Sequence, residues 1–223
     1  MRRWELIDTA VIPGEGGELR LLRRGDDFCL RTSRHGELMN SRSHGSEDAL
    51  GELACAGLAS RPGVSVLIGG LGMGFTLAAA LARLAPDATV TVAELVPEVV
   101  RWNEGPLAAC AGQPLRDARV RLHHGDVGAL LRRAREAYDA VLLDVDNGPE
   151  GMTRRANDRL YSLTGLADIQ RALKAGGTLA VWSAAAAADF TARLRKIGFT
   201  VDERRVRAHG HKGSRHVIWL ATV

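Results

Sequence analysis

The 223 residues predict an α/β protein built on a doubly wound, mostly parallel sheet, with a small antiparallel β unit ahead of it. Three observations carry this. Residues 64–68, apolar but for Ser65, form a run expected of a strand buried on both faces, and a further strand pattern recurs at 139–143. Amphipathic stretches separate the runs, so strand and helix alternate along the chain. The first 45 residues break the pattern: two alternating segments, 18–24 and 27–32, flank Gly25-Asp26, a hairpin signal. Gly14, Gly16 and Gly17 mark the stretch before them as a turn.

The chain therefore divides into a β unit over 1–45 and an α/β domain over 46–223. Ser46-Glu47-Asp48 supplies a cap and first-turn acids for a helix carrying Leu50, Leu53, Ala54 and Leu58. Strands are predicted at 64–68, 89–93, 120–123, 139–143 and 178–183, with helices over 75–84, from 97, and over 127–137, 165–173 and 189–197. A final pair of strands, 200–206 and 216–221, flanks a basic loop.

Composition bounds the partners. A formal net charge of +4 and a 4% aromatic content offer no stacking platform for nucleic acid. Cys29, Cys55 and Cys110 are few and lack metal-ligand spacing, which suits a reducing cytoplasm. The N-terminus shows no signal-like apolar run, and residues 184–188 are far too short to span a bilayer.

The chemistry gathers at strand ends. Gly70, Gly72 and Gly74 follow the first parallel strand, where the backbone must turn sharply and approach a ligand. Glu94 ends the next strand and suits both hydroxyls of a ribose. Asp126 follows the third strand, where a carboxylate can take an adenine amino group; helix capping explains it equally. Asp144 ends the fourth. Ligands bind open α/β sheets at these ends. A nicotinamide dinucleotide is disfavoured, because the glycines are not spaced Gly-x-Gly-x-x-Gly.

The run Val-Leu-Ile-Gly-Gly, the Glu94 strand, Gly125-Asp126, the segment Tyr138 to Asp144, Gly148-Pro149 and Leu160-Tyr161 together resemble the spermidine synthase family. That resemblance is strongest over residues 64–183. It implies the seven-stranded Rossmann-like sheet of class I methyltransferases, a donor that is S-adenosylmethionine or its decarboxylated form, and a homodimer. Gly70, Gly72, Gly74, Glu94, Asp126 and Val127 would bind the donor. Asp144 would face the acceptor, with Asp146 and Tyr161 as further catalytic candidates and Asn147 and Glu47 as acceptor contacts. Tyr161 also reads as a core aromatic.

The departures are specific. The family's loop aspartate is Gly72 here, its later aspartate is Asn147, and its tyrosine before the glutamate is Gly45. A dicationic polyamine requires several desolvated carboxylates. The expected reaction is therefore methyl transfer to a small-molecule acceptor. Aminopropyl transfer is the alternative, and a non-catalytic nucleoside-binding module is a third reading. A metal-dependent methyltransferase is disfavoured, because residues 183–186 read Ser-Ala-Ala-Ala where an Asp-Asn pair is needed. The loop His209 to His216 reads either as a solvated turn or as a cationic grip on an acidic acceptor, and so do Arg154 and Arg155.

Overall fold

The computed structural model describes residues 3–14, 17–33, 36–145, 148–149, 159–209 and 212–223. Asp146, Asn147, Arg154, Arg155, Gly16, Gly210 and His211 lie outside them.

Four antiparallel strands open the chain: β1 (Glu5–Ile12), β2 (Gly17–Arg24), β3 (Asp27–Thr32) and β4 (Gly36–Asn40), in the order β1-β2-β3-β4. The expected hairpin is β2–β3, turning at Gly25. The flanking strands were not foreseen. In β1 the reason is physical: Leu6, Ile7 and Val11 are exposed, and only Ala10 and Ile12 are buried.

The second sheet has seven strands: β5 (Ser65–Gly69), β6 (Thr89–Glu94), β7 (Val120–His124), β8 (Tyr138–Leu143), β9 (Leu173–Ser183), β10 (Thr200–His209) and β11 (Lys212–Thr222). Their order is β10-β11-β9-β8-β5-β6-β7. Strands β5 to β9 pair in parallel, while β11 runs antiparallel to both β9 and β10. The order reverses between β5 and β8, which opens a crevice at their carboxyl ends.

Among the described residues, six α-helices cover this sheet: α1 (Gly45–Cys55), α2 (Phe75–Leu81), α3 (Pro97–Glu104), α4 (Val127–Arg133), α5 (Leu163–Ala172) and α6 (Ala188–Ile197). Their ends follow local chemistry. Asp126 and Ser162 cap α4 and α5 by accepting the amides of Gly128 and Gly165 at 3.0 and 3.2 Å. Pro97 sits in the first turn of α3, and Gly198, left-handed at φ +103°, stops α6. Helix α4 ends at Arg133, four residues before the predicted limit, because Ala134 turns extended.

Alternate residues of each central strand enter opposite cores. Val66, Ile68, Ala140 and Leu142 join α1, α2, α3 and the four-stranded sheet; Leu67, Val141 and Leu143 join α4, α5 and α6. Each fully buried aliphatic side chain contributes about 1.5–3 kcal/mol. The four-stranded sheet is also tied to α3 by a hydrogen bond from Trp102 Nε1 to Asp8 Oδ2 at 2.8 Å.

Helix α1 lies against α2 through Gly51. A Cβ there would stand 2.6 Å from the Thr76 carbonyl oxygen and 2.7 Å from the Ala80 nitrogen, both backbone atoms that cannot swing aside. Glu47 lies one turn earlier on the same face of α1. Gly51→Ala is therefore expected to destabilise the fold by about 2 kcal/mol through overpacking, more than the ~1 kcal/mol that helix propensity returns. Urea denaturation checks this; an unchanged or raised midpoint would show that α1 and α2 are not clamped at that residue.

Candidate active site

The site is built on the turn that leaves β5. Gly70, Gly72 and Gly74 all have left-handed φ, at +89°, +52° and +86°, a region in which other residues are strained. Space is equally restrictive. A Cβ on Gly70 would meet the Asp144 carbonyl oxygen at 2.3 Å, and one on Gly72 would meet Met39 Cε at 2.7 Å. Two backbone hydrogen bonds hold the turn at its root, Gly70 N–H to the Ala93 carbonyl and Asp144 N–H to the Gly69 carbonyl, both 2.9 Å. The buried Asn103 amide donates to the Gly72 carbonyl at 2.8 Å and to Val99 at 2.9 Å. Gly70 and Gly72 line the cavity at the strand ends, whereas Gly74 precedes α2 and does not.

Glu94 ends β6 with 8% of its surface exposed. Its Oε2 accepts the Leu71 amide and its Oε1 the Val96 amide, each at 2.8 Å. Burial pushes its pKa up and outweighs the opposing pull of these amides. Each carboxylate oxygen keeps acceptor capacity for a further donor. Asp126 caps α4, lies 3.8 Å from Arg132, and still lines the cavity beside Gly125 and Val127. Capping and ligand contact are compatible here.

Asp144 follows β8 and accepts the Thr76 hydroxyl on Oδ2 at 2.7 Å. Glu47, on α1, lines the same cavity and is 6% exposed; Ser46 Oγ donates to its Oε2 at 2.5 Å. Burial, and then the negative charge of Asp144, push the Glu47 carboxyl up to about 7. Burial also raises Asp144, opposed by the Thr76 bond. The pair thus holds a proton at a pH where isolated carboxylates hold none.

The cavity is a cleft partly open to solvent. The four-stranded sheet roofs it with Ile12, Leu19, Leu30, Leu38 and Met39, and Val145 and Trp182 line it from the seven-stranded sheet. Sequence reading missed Met39, Thr76, Asn103 and Trp182. Asn103, a polar residue on the apolar face of an amphipathic helix, was the one with a local signal.

Tyr161 is corrected to a core position. It is 1% exposed, sits edge-on to Phe190 with ring centroids 5.6 Å apart, and does not line the cavity. Its hydroxyl donates to the Val145 carbonyl at 3.5 Å. Strand β10 runs in the direction of β9, and strand pairing takes up most of the predicted basic loop at its carboxyl end: Val206 faces His216, Arg207 faces Arg215 and His209 faces Lys212. There His209 lines a separate surface recess with Trp4, Arg24 and Arg42. Among the described residues, no three His, Cys, Asp or Glu side chains converge as a metal site, and no helix is long and apolar enough to cross a membrane.

Removing the Glu94 carboxylate orphans two buried amides. Glu94→Ala is expected to cost about 2–4 kcal/mol of stability, with loss of nucleoside binding. Thermal unfolding and calorimetry check this. A variant of full stability would show that the Leu71 and Val96 amides find other partners.

Comparison with known proteins agrees with this geometry. A family model described as S-adenosyl-L-methionine-dependent methyltransferase matches residues 94–216, more than half of the chain. The structure is similar to a spermidine synthase in complex with the transition state analogue AdoDATO, with a TM-score of 0.73 at 14% identity, over 97% of this chain and 72% of that one. It is similar to the spermidine synthase from Thermotoga maritima, with a TM-score of 0.72 at 14% identity over the same shares. A probable spermidine synthase from Corynebacterium glutamicum gives a TM-score of 0.65 at 14% identity, over 98% and 79%. At such identity these likenesses establish the fold alone. No curated protein matches the sequence. Seven strands in methyltransferase order, a glycine turn flanked by strand-end carboxylates, and a family match over most of that sheet lead to one assignment: the chain belongs to the S-adenosyl-L-methionine-dependent methyltransferase family.

Proposed function

We propose that the protein transfers the methyl group of S-adenosylmethionine to a small-molecule acceptor. The methyltransferase family match over residues 94–216 carries this choice. The glycine turn presents backbone rather than a carboxylate to the cavity, beneath the Met39 thioether.

The chain's groups fit such a donor. Gly70 and Gly72 bring bare backbone to the cavity wall, close against the Asp144 carbonyl and Met39. In this reading Glu94 accepts the ribose hydroxyls, and Asp126 with Val127 and Gly125 borders the adenine. The donor's sulfonium brings its own activation, so the protein supplies position and electrostatics. Asp144, held by Thr76, orients the acceptor and accepts its proton, and Glu47 shares that proton. Asp146 and Asn147 are further acceptor contacts in this reading. The protein works on its small molecule in the cytoplasm, without a nucleic acid or membrane partner. The unpaired Cys29, Cys55 and Cys110 suit that compartment, and the resemblance to spermidine synthases supports a homodimer.

A second reading, aminopropyl transfer from decarboxylated S-adenosylmethionine, is favoured by the Asp144–Glu47 pair, which suits an ammonium group. Calorimetry with S-adenosylhomocysteine and methylthioadenosine separates the two. Tighter S-adenosylhomocysteine binding supports methyl transfer, and the reverse supports the second reading. Folded protein that binds neither overturns both.

The pair also sets the pH dependence. The base is the ionised form, so kcat/KM is expected to rise through about pH 7 and then level. Glu47→Gln removes the neighbouring charge that opposes ionisation of Asp144, and the rise should move to lower pH. Asp144→Asn should lower kcat by about 10²–10⁴-fold. A pH profile identical in wild type and Glu47→Gln would separate Glu47 from the chemistry.

A further inference from the structure

The cavity has two halves, divided by the glycine turn. Glu94 ends β6 and Asp126 follows β7 on one side; Asp144 follows β8 and Trp182 stands one residue before the end of β9 on the other. The first pair is engaged by backbone amides of the turn and of α4. Asp144 and Glu47 thus form the charged end of the second half. Around them stand Leu38, Met39, Val145 and Trp182. Among the described residues, no Lys, Arg or His lines any part of the cavity.

These surroundings discriminate between acceptors. An anionic acceptor would bring its charge to two buried carboxylates with no cation to offset it, a net repulsion. Against the described lining, a diamine would satisfy the pair with one ammonium and press the other against hydrocarbon, where an unpaired charge is heavily penalised. A neutral apolar molecule would leave the carboxylates without a partner. A molecule with one protonatable nitrogen and a hydrocarbon body avoids all three costs.

On the reading that this half of the cavity receives a methyl acceptor, we propose that the acceptor is an apolar monoamine, its single nitrogen seated at Asp144 and Glu47 and its aryl or branched alkyl body against Leu38, Met39, Val145 and Trp182. The ammonium passes one proton to the carboxylate pair. The freed nitrogen lone pair forms the new bond to the methyl carbon as the carbon–sulfur bond breaks. The electron pair of that bond stays on sulfur, giving a neutral thioether and an N-methylammonium, and the proton on the pair leaves to solvent. Atoms and charge balance without a further reactant.

Calorimetry on the full chain saturated with S-adenosylhomocysteine tests the proposal, with 2-phenylethylamine and 3-methylbutylamine as monoamines, 1,4-diaminobutane as diamine and 3-phenylpropanoate as anion. At least one monoamine should bind on the order of tenfold or more tightly than the diamine, and the anion should not bind. Leu38→Asp places a carboxylate on the apolar wall and should narrow or reverse the preference for monoamine over diamine; retained S-adenosylhomocysteine affinity shows that this variant folds. Mass spectrometry should find N-methylated monoamine and an equal amount of S-adenosylhomocysteine when S-adenosylmethionine is supplied. If S-adenosylhomocysteine binds while the diamine or the anion is preferred, or neither monoamine binds, the monoamine proposal is overturned and methyl transfer stands. Failure to bind S-adenosylhomocysteine overturns both.

Discussion

Two backbone hydrogen bonds, one on each side of the turn after β5, organise the rest of the molecule. Gly70 donates to Ala93 at the end of β6, and Asp144 donates to Gly69 across the gap to β8. The turn is thereby drawn into the crevice where the strand order reverses. It is held so closely that no side chain fits at Gly70. Because the turn sits there, Glu94 and Asp144 fall on opposite sides of it. Those two residues mark the two ends of the cavity, which the proposed function assigns to the donor nucleoside and to the acceptor.

Burial sets the character of the carboxylates at both ends of β8. Asp139, at its start, is 4% exposed. Burial alone would raise its pKa, but hydrogen bonds from Lys174 and the Ser65 amide, with the charge of Arg61 at 3.0 Å, bring it below the usual range. Asp144, five positions along the strand direction, has a hydroxyl and a second carboxylate as neighbours and is raised. The same residue type thus anchors the fold at one end, where cations meet it, and is poised to exchange a proton at the other, where they do not.

Much of this was legible in the sequence, for reasons particular to certain residues. Val66-Leu67-Ile68 and Val141-Leu142-Leu143 read as strands because both their faces are buried, which leaves no polar alternation to mimic a helix or a loop. Glu94 and the glycines stood out because strand ends and left-handed turns demand those residue types. What stayed hidden depends on contacts between distant segments. Met39 lies against Gly72 across 33 positions, and no local pattern announces it. Tyr161 looked like a contact residue by its place after the catalytic strand, yet it packs on Phe190 and Val145. Strand β1 escaped notice because it turns most of its apolar side chains outward.

The chain also divides its labour between segments that are joined only loosely. The hydrocarbon wall comes from residues 12–39 in the four-stranded sheet, while Glu47 rides on α1, clamped to α2 through Gly51. Only residues 41–44 connect them. Exchanges at Leu30, Leu38 or Met39 therefore reshape the chamber without moving the carboxylates that carry charge. A lineage built on this scaffold can reshape its cavity through its first forty residues, while the Asp144 and Glu47 carboxylates stay as they are.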